Sequence, residues 1–200
     1  MMARHTPDVH RKVKQGSVAV AGLGGLGSNI AVMLARTGVG RLLLVDFDTV
    51  EPSNMNRHNY FLSHLGMNKT DALRMQIKEI NPFISVETRN VRVRPENVEE
   101  IFSGYDIVCE AFDSPEAKSE LVNTVLLKLP GAKVVAASGM AGYGSSNAIK
   151  TVRSMGRLYL CGDFESEAGP GSGLMSTRVQ ICAGHQANMI LRLLLGIEEV

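Results

Sequence analysis

The residues best equipped for chemistry begin with a glycine cluster, Gly22-Leu23-Gly24-Gly25-Leu26-Gly27. A short β-rich run, Ser17–Ala21, leads into it, and helical periodicity follows. Glycines at such a junction let the backbone approach phosphate groups, whose charge a helix N-terminus favours. Asp46 ends the next apolar run (41–45), roughly 20 residues beyond the last glycine. That is the spacing of a carboxylate that grips a ribose hydroxyl. The pair reads as a nucleotide site with a ribose. The competing reading, glycines that merely permit tight strand–helix packing, leaves Asp46 without a purpose.

The residues after Asp46 decide which nucleotide. A dinucleotide dehydrogenase needs only the glycines and the ribose carboxylate. Here the chain goes on through Asp48, Asn54 and Arg57, places Lys69 at the head of a helix, and brings Asp113 to a later strand end. Two cations, an amide donor and several carboxylates suit a nucleoside triphosphate with Mg²⁺: carboxylates hold the metal, and Arg57 and Lys69 neutralise phosphate oxygens. Hydride transfer requires none of these. A P-loop at Gly66-Met67-Asn68-Lys69-Thr70 is excluded, because no glycine immediately precedes the lysine and no strand leads into it.

These side chains need a scaffold, and the apolar pattern supplies one. Strands are expected at Ser17–Ala21, 41–45, 86–93, 107–111 and Lys133–Ala137, with weaker ones at 146–152 and 157–160. Helices are expected after Gly27 with Ser28 as cap, at Lys69–Ile80, at 95–102, from Ser114-Pro115 towards 129, and at 174–195. The polar segment 47–65 reads as a long loop. Strands alternating with helices imply an α/β, Rossmann-like fold, a mainly parallel sheet with helices on both faces and an antiparallel extension near the C-terminus. Ligands in such sheets bind beyond the carboxyl ends of the strands, where Gly22–Gly27, Asp46–Asp48 and Asp113 fall.

The 200 residues fit one domain, 1–200, with 1–16 as an N-terminal arm or helix. Lys+Arg number 21 and Asp+Glu 20, a net charge of +1 that argues against a broad nucleic-acid surface or a polybasic membrane patch. The N-terminus lacks the apolar core of a signal peptide, and no stretch approaches a membrane helix. Three cysteines are too few for a disulfide framework, so a cytoplasmic setting is expected.

Several stretches together resemble the ThiF/MoeB/ubiquitin-activating family of ATP-dependent adenylyltransferases: AGLGGLGS (21–28), GVGRLLLVDFDTVEPSNMNRH (38–58), LGMNKTDAL (65–73), INP (80–82), DIVCEAFDS (106–114) and GLMSTRVQICAGHQAN (173–188). The short form, with AASGMAGYGSSN (136–147), is similar to the small ThiF-like branch linked to thiamine biosynthesis. The resemblance implies that Asp46 binds the ATP ribose and that Gly22, Gly24, Gly25 and Gly27 let the backbone meet the nucleotide. It implies that Asn54, Arg57 and Lys69 contact the phosphates, that Asp113 holds Mg²⁺, and that Asp48 assists. It further implies a homodimer in which an N-terminal arginine, Arg4 in preference to Arg11, reaches the partner's site. The second substrate would be a small ubiquitin-like sulfur carrier with a Gly-Gly tail, whose terminal carboxylate attacks the α-phosphorus of ATP. Rival readings are activation of a tRNA-borne carboxylate, as in the related dehydratase branch, a nicotinamide-dependent oxidoreductase, and a non-catalytic nucleotide scaffold.

The chain also departs from the larger family members. It has no C-x-x-C pair, so no zinc is expected. Cys161 lies in a polar, Gly-rich setting and is weighed as an acyl or sulfur acceptor against a small semi-buried residue, with the second favoured. Cys109 and Cys182 are assigned to the core. His58 reads as a solvated loop residue rather than a ligand contact, His185 as a packing residue, and the glycine-rich 169–173 as a mobile cover over the substrate.

Overall fold

A computed structural model describes residues 4–200 of the chain. Among these residues, six α-helices and seven strands follow in the order α1 (Pro7–Gln15), β1 (Ser17–Ala21), α2 (Gly25–Thr37), β2 (Arg41–Asp46), α3 (Lys69–Ile80), β3 (Ser85–Asn90), α4 (Val98–Phe102), β4 (Ile107–Glu110), α5 (Pro115–Lys128), β5 (Lys133–Ala137), β6 (Lys150–Met155), β7 (Leu158–Gly162) and α6 (Ser176–Leu194). The strands form one sheet in the order β3-β2-β1-β4-β5-β7-β6. All pairings are parallel except β6 with β7, which closes one edge as an antiparallel pair.

The central strand explains the arrangement. Every residue of β1 is buried, because the sheet is covered on both faces and no side of a central parallel strand meets water. One apolar layer joins the sheet to α2, α3 and α6, with Ile30, Leu73 and Ile190 fully buried. The other joins it to α4 and α5, around Phe102 and Leu121. The chain leaves β1 towards β2 on one side and returns to β4 on the other. The carboxyl ends of β1, β2 and β4 therefore flank a crevice at the point where strand order reverses.

Most expected elements are present, but β3 ends at Asn90 rather than at 93, α4 begins at Val98 rather than at 95, and four further differences stand out. Ser28 is not the cap of α2. The helix begins at Gly25 with Gly24 as N-cap, and Ser28 lies inside its first turn, donating Oγ–H to the Gly24 carbonyl at 2.6 Å. The tight glycine turn lets the helix start as soon as the chain clears the strand, which puts a serine one turn further in. The segment 47–65 is not simply loop: it holds two 3₁₀ turns, Pro52–Asn54 and Leu62–His64. The hairpin strands β6 and β7 lie a few residues later than the pattern placed them, because 146–148 forms a 3₁₀ turn. The segment 169–173 closes a turn in which Gly169 and Ser172 exchange backbone hydrogen bonds. Its last residue accepts the Gly142 N–H at 2.8 Å. Among the described residues no helix is long and apolar enough to cross a membrane.

Candidate functional site

At the β1 carboxyl end the glycines divide into two pairs. Gly22 has φ of 89°, and a Cβ there would lie 2.7 Å from the Ala111 carbonyl of the neighbouring strand end. A Cβ on Gly27 would collide with the Gly22 carbonyl. This pair makes the turn possible. Gly24 and Gly25 serve differently: the His58 ring lies over the first, 3.6 Å from a notional Cβ, and the Arg57 side chain over the second, at 3.3 Å. The α2 N-terminus carries no side-chain cap, so its first N–H groups stay available to an anion between the glycines and these two side chains.

Asp46 is buried at the β2 end. Its Oδ2 accepts the Leu23 N–H at 2.6 Å and its Oδ1 the Asp48 N–H at 2.9 Å. The carboxylate is thereby locked to the glycine turn, and each oxygen keeps a lone pair for a further donor such as a ribose hydroxyl. Burial raises its pKa, against the nearby Lys69 cation and the two N–H groups. Lys69, only 6% exposed, sits at the first position of α3 with Nζ 2.7 Å from Asp48 Oδ2 and 3.9 Å from Asp46 Oδ1. A buried ammonium requires such partners. Its backbone is fixed too: Lys69 N–H donates to the Asp48 carbonyl at 3.0 Å, and the Tyr60 hydroxyl donates to the Leu23 carbonyl at 2.9 Å from the same region.

The loop that carries Arg57 is pinned by polar residues of α2. Asn29 Nδ2 donates to the Gly25 carbonyl at 2.7 Å and to the Arg57 carbonyl at 3.1 Å, and its Oδ1 accepts Asn59 Nδ2 at 3.2 Å. Ser28 Oγ accepts the Asn59 N–H at 2.9 Å. Arg57 uses Nη1 on Asn56 Oδ1 at 2.8 Å and leaves Nε and Nη2 free of protein partners among the described residues. Asn54 caps its own turn, Oδ1 accepting the Glu51 N–H at 3.0 Å.

His58 is half-buried in the middle of this group and is not the solvated histidine the sequence reading favoured. Burial, then the charges of Arg57 and Lys69, push its pKa down to about 4, with Asp113 and Asp48 acting in the opposite sense. Its Nδ1 is shut off from solvent with no hydrogen-bond partner among the described residues. The glycines and the hydrogen-bonded loop draw the ring inward, and nothing local to the sequence Arg57-His58-Asn59 signals this.

Asp113 is exposed just beyond β4 and forms no hydrogen bond or ion pair among the described residues, so both its oxygens are available. An exposed carboxylate at a strand end fits Mg²⁺, which binds through one or two carboxylates plus substrate phosphates and water. No group of three or more His, Cys, Asp and Glu gathers among the described residues. Beside Asp113 opens a cavity of about 510 Å³ lined by Arg92, Val93, Arg94, Pro95, Glu96, Ser114 and the first turn of α5. Arg92, in the cavity lining, stacks over Phe47, the residue after Asp46, at 5.4 Å.

Other candidates fall outside. Arg4 is exposed ahead of α1, with no ion pair or hydrogen bond joining it to these residues, and Arg11 pairs with Asp8 at 2.8 Å on the same helix. Cys161 is fully buried, its thiol 3.5 Å from Thr151 Oγ1 and pushed up to about 11 by burial, so it offers neither access nor thiolate. Cys109 and Cys182 are equally buried, and His185 Nδ1 lies 3.0 Å from the Thr151 hydroxyl. Sequence reasoning missed Glu110, completely buried at the end of β4 and paired with Lys118 at 2.6 Å, because it sits within an apolar run. It also missed Arg178, whose guanidinium holds the Ala141, Gly144 and Ser145 carbonyls and Asp163.

The chain is 35% identical over 195 residues to the adenylyltransferase and sulfurtransferase UBA4 of Saccharomyces cerevisiae, an alignment covering 93% of this chain and 43% of that protein. It is 37% identical over 115 residues to the molybdopterin-synthase adenylyltransferase of Haemophilus influenzae, covering 57% of this chain and 47% of that one. The chain thus spans less than half the length of these curated relatives. Among solved structures, the E. coli tRNA N6-threonylcarbamoyladenosine dehydratase in complex with ATP superposes with a TM-score of 0.86 at 22% identity, covering 96% of this chain and 90% of that one. E. coli MccB with ATP superposes at 0.72 and 21% identity, covering 94% and 58%. These two likenesses are of fold. The ThiF family model matches residues 1–200 from end to end, and the chain belongs to the ThiF family.

Proposed function

We propose that this chain is an ATP-dependent adenylyltransferase that activates the C-terminal carboxylate of a small ubiquitin-like sulfur carrier. The observation that carries the reading is one cluster. Asp46 is locked to the glycine turn by the Leu23 N–H, Lys69 sits between Asp46 and Asp48, and Arg57 and His58 lie over Gly25 and Gly24. Asp46 accepts the ribose hydroxyls, and the cavity beside Phe47 and Arg92 takes the base. The α2 N-terminus, Arg57, Lys69 and Asn54 meet the phosphates.

A carboxylate oxygen of the carrier tail attacks the α-phosphorus. The bond from that phosphorus to the bridging oxygen breaks, pyrophosphate leaves with the electron pair, and an acyl-adenylate remains. The protein supplies alignment and charge rather than a covalent partner. Mg²⁺ held by Asp113 would supply neutralisation of the phosphate charge. A Gly-Gly tail suits a narrow approach, since glycine passes where side chains would clash.

The carrier we propose is ThiS-like, in thiamine thiazole formation, a choice supported by the 136–147 stretch. The enzyme is further proposed to be a cytoplasmic homodimer in which Arg4 completes the partner's site. ATP–pyrophosphate exchange tests the reading with the purified chain, Mg²⁺, and either a ThiS-like carrier or tRNA. Carrier-dependent exchange that disappears when the Gly-Gly tail is removed is expected. Exchange with tRNA alone transfers the activity to a nucleic-acid carboxylate, and exchange with neither sinks the proposal.

A further inference from the structure

The turn that presents Asp113 is held at both ends by one buried carboxylate. Glu110, the last residue of β4, is inaccessible to solvent. Its Oε1 accepts the Phe112 N–H at 2.7 Å, immediately before Asp113. Its Oε2 accepts Lys118 Nζ at 2.6 Å, from the first turn of α5. The Lys118 N–H donates in turn to the Ser114 carbonyl at 3.0 Å, and Ser114 Oγ caps the helix by accepting the Ala117 N–H at 3.3 Å. The Glu110 carbonyl is fixed from α6 by Gln186 Nε2 at 3.0 Å. Strand end, turn, helix start and the opposite helix layer therefore converge on Glu110.

Stability alone does not account for this pair. Burying an ion pair costs about as much as it returns, and a well-packed apolar pair of similar volume does as well or better. Its geometric effect is different. Residues 111–114 form a short irregular connection, tied at its start by the Ala111 N–H on the Ala21 carbonyl at 2.8 Å and at its end by the Ser114 cap, and the clamp adds the one hydrogen-bonded hold on Phe112, immediately before Asp113, among the described residues.

We infer that Lys118 and Glu110 are positioning residues that aim Asp113 at the metal–phosphate complex of the nucleotide. The inference rests on the adenylyltransferase reading for the role of Asp113, but it is tested by binding alone. The affinities of ATP with and without Mg²⁺ are measured by calorimetry on the whole chain, and the ratio of the two dissociation constants gives the Mg²⁺-dependent gain. Asp113→Asn is expected to abolish that gain. Lys118→Met is expected to reduce it roughly 10-fold or more, the size typical when a group orienting a metal ligand is removed. Metal-free ATP affinity should stay within about 2-fold, since Asp46 and Lys69 are untouched.

The discriminating result is the cycle: Lys118→Met made on top of Asp113→Asn is expected to cost the gain nothing further, whereas a general structural defect would lower metal-free binding as well. Lys118→Arg, which keeps the charge and the Glu110 partner, should restore most of the gain and provides a folded variant if Lys118→Met does not fold. A full Mg²⁺-dependent gain in folded Lys118→Met overturns the inference, and so does a loss in Lys118→Arg as large as that in Asp113→Asn. Loss of carrier-dependent exchange with these binding results intact would instead overturn the activity.

Discussion

At the residue scale, Lys69 and His58 carry opposite assignments in one small volume. The Lys69 ammonium is nearly enclosed and held by Asp48 at 2.7 Å, so a neutral replacement leaves Asp46 and Asp48 uncompensated as well as removing the charge proposed to meet the phosphates. Lys69→Ala is expected to lower the exchange rate by roughly 10²–10³, and Arg57→Ala by a similar factor, as for other lost charge stabilisers. Steady-state exchange at saturating ATP checks both, and rates within 3-fold of the parent would remove these residues from the mechanism. His58 behaves otherwise because its pKa is depressed to about 4. In the unfolded chain it takes a proton near pH 6.5. The folded state resists that proton until about pH 4, so the contribution is complete above 6.5 and is lost as pH falls through this window. Discounted for partial exposure, the loss is about 1–2 kcal/mol. His58→Gln is expected to flatten the stability profile between pH 6.5 and 4 in urea titrations. An unchanged slope would mean that the ring is protonated in the folded state.

At the scale of elements, legibility followed locality. Helix α3 and strands β1 and β5 have the bounds the pattern gave them, since each is an uninterrupted periodic run with its stop signal nearby. Asp46 and the glycines were legible for the same reason: their spacing along the chain mirrors a spacing in space. The network of Ser28, Asn29 and Asn59 was not, because its partners lie about 30 residues apart and meet only after α2 docks under the loop. Arg178 was hidden in the same way. On α6 it looks like an ordinary polar position, yet it is 4% exposed and crosses to the segment after β5. Burial works against the charge on its partner Asp163, but the N–H groups of Ser166 and Glu165 and the guanidinium at 2.5 Å outweigh it and hold that carboxyl below its ordinary range. Removing one member of such a pair is costly. Arg178→Met is expected to destabilise the fold by about 3–5 kcal/mol, with Arg178→Met/Asp163→Asn recovering part of the loss. Chemical denaturation measures this, and a cost below about 1 kcal/mol would show that neither the ion pair nor the guanidinium's hydrogen bonds to the carbonyls hold the segment.

At the scale of the whole molecule, the candidate site gathers two cations of the chain, Arg57 and Lys69, among three carboxylates. The net charge of +1 conceals this, since it averages a cluster of Arg57 and Lys69 with Asp46, Asp48 and Asp113 over 200 residues. Within one chain Lys69 is already matched by two carboxylates, so in the proposed adenylylation the charge developing on the leaving pyrophosphate would have Arg57 as its main uncommitted partner. A second uncommitted cation would stabilise that charge further. Arg4 is exposed and makes no hydrogen bond or ion pair with the site residues of its own chain, and in the proposed homodimer it would be that second cation. Subunit mixing tests the idea without relying on either single variant. In the proposed homodimer, Arg4→Ala and Lys69→Ala should each lose exchange activity. If Arg4 serves the partner, a heterodimer places both lesions in one site and leaves the other site whole, so mixing the two inactive variants should recover up to about a quarter of parental activity at random 1:1 exchange of subunits. If Arg4 serves its own chain, each heterodimer site carries one lesion and mixing recovers nothing. Full activity of Arg4→Ala alone would show that Arg57 and Lys69, with the α2 N-terminus, suffice for the leaving group.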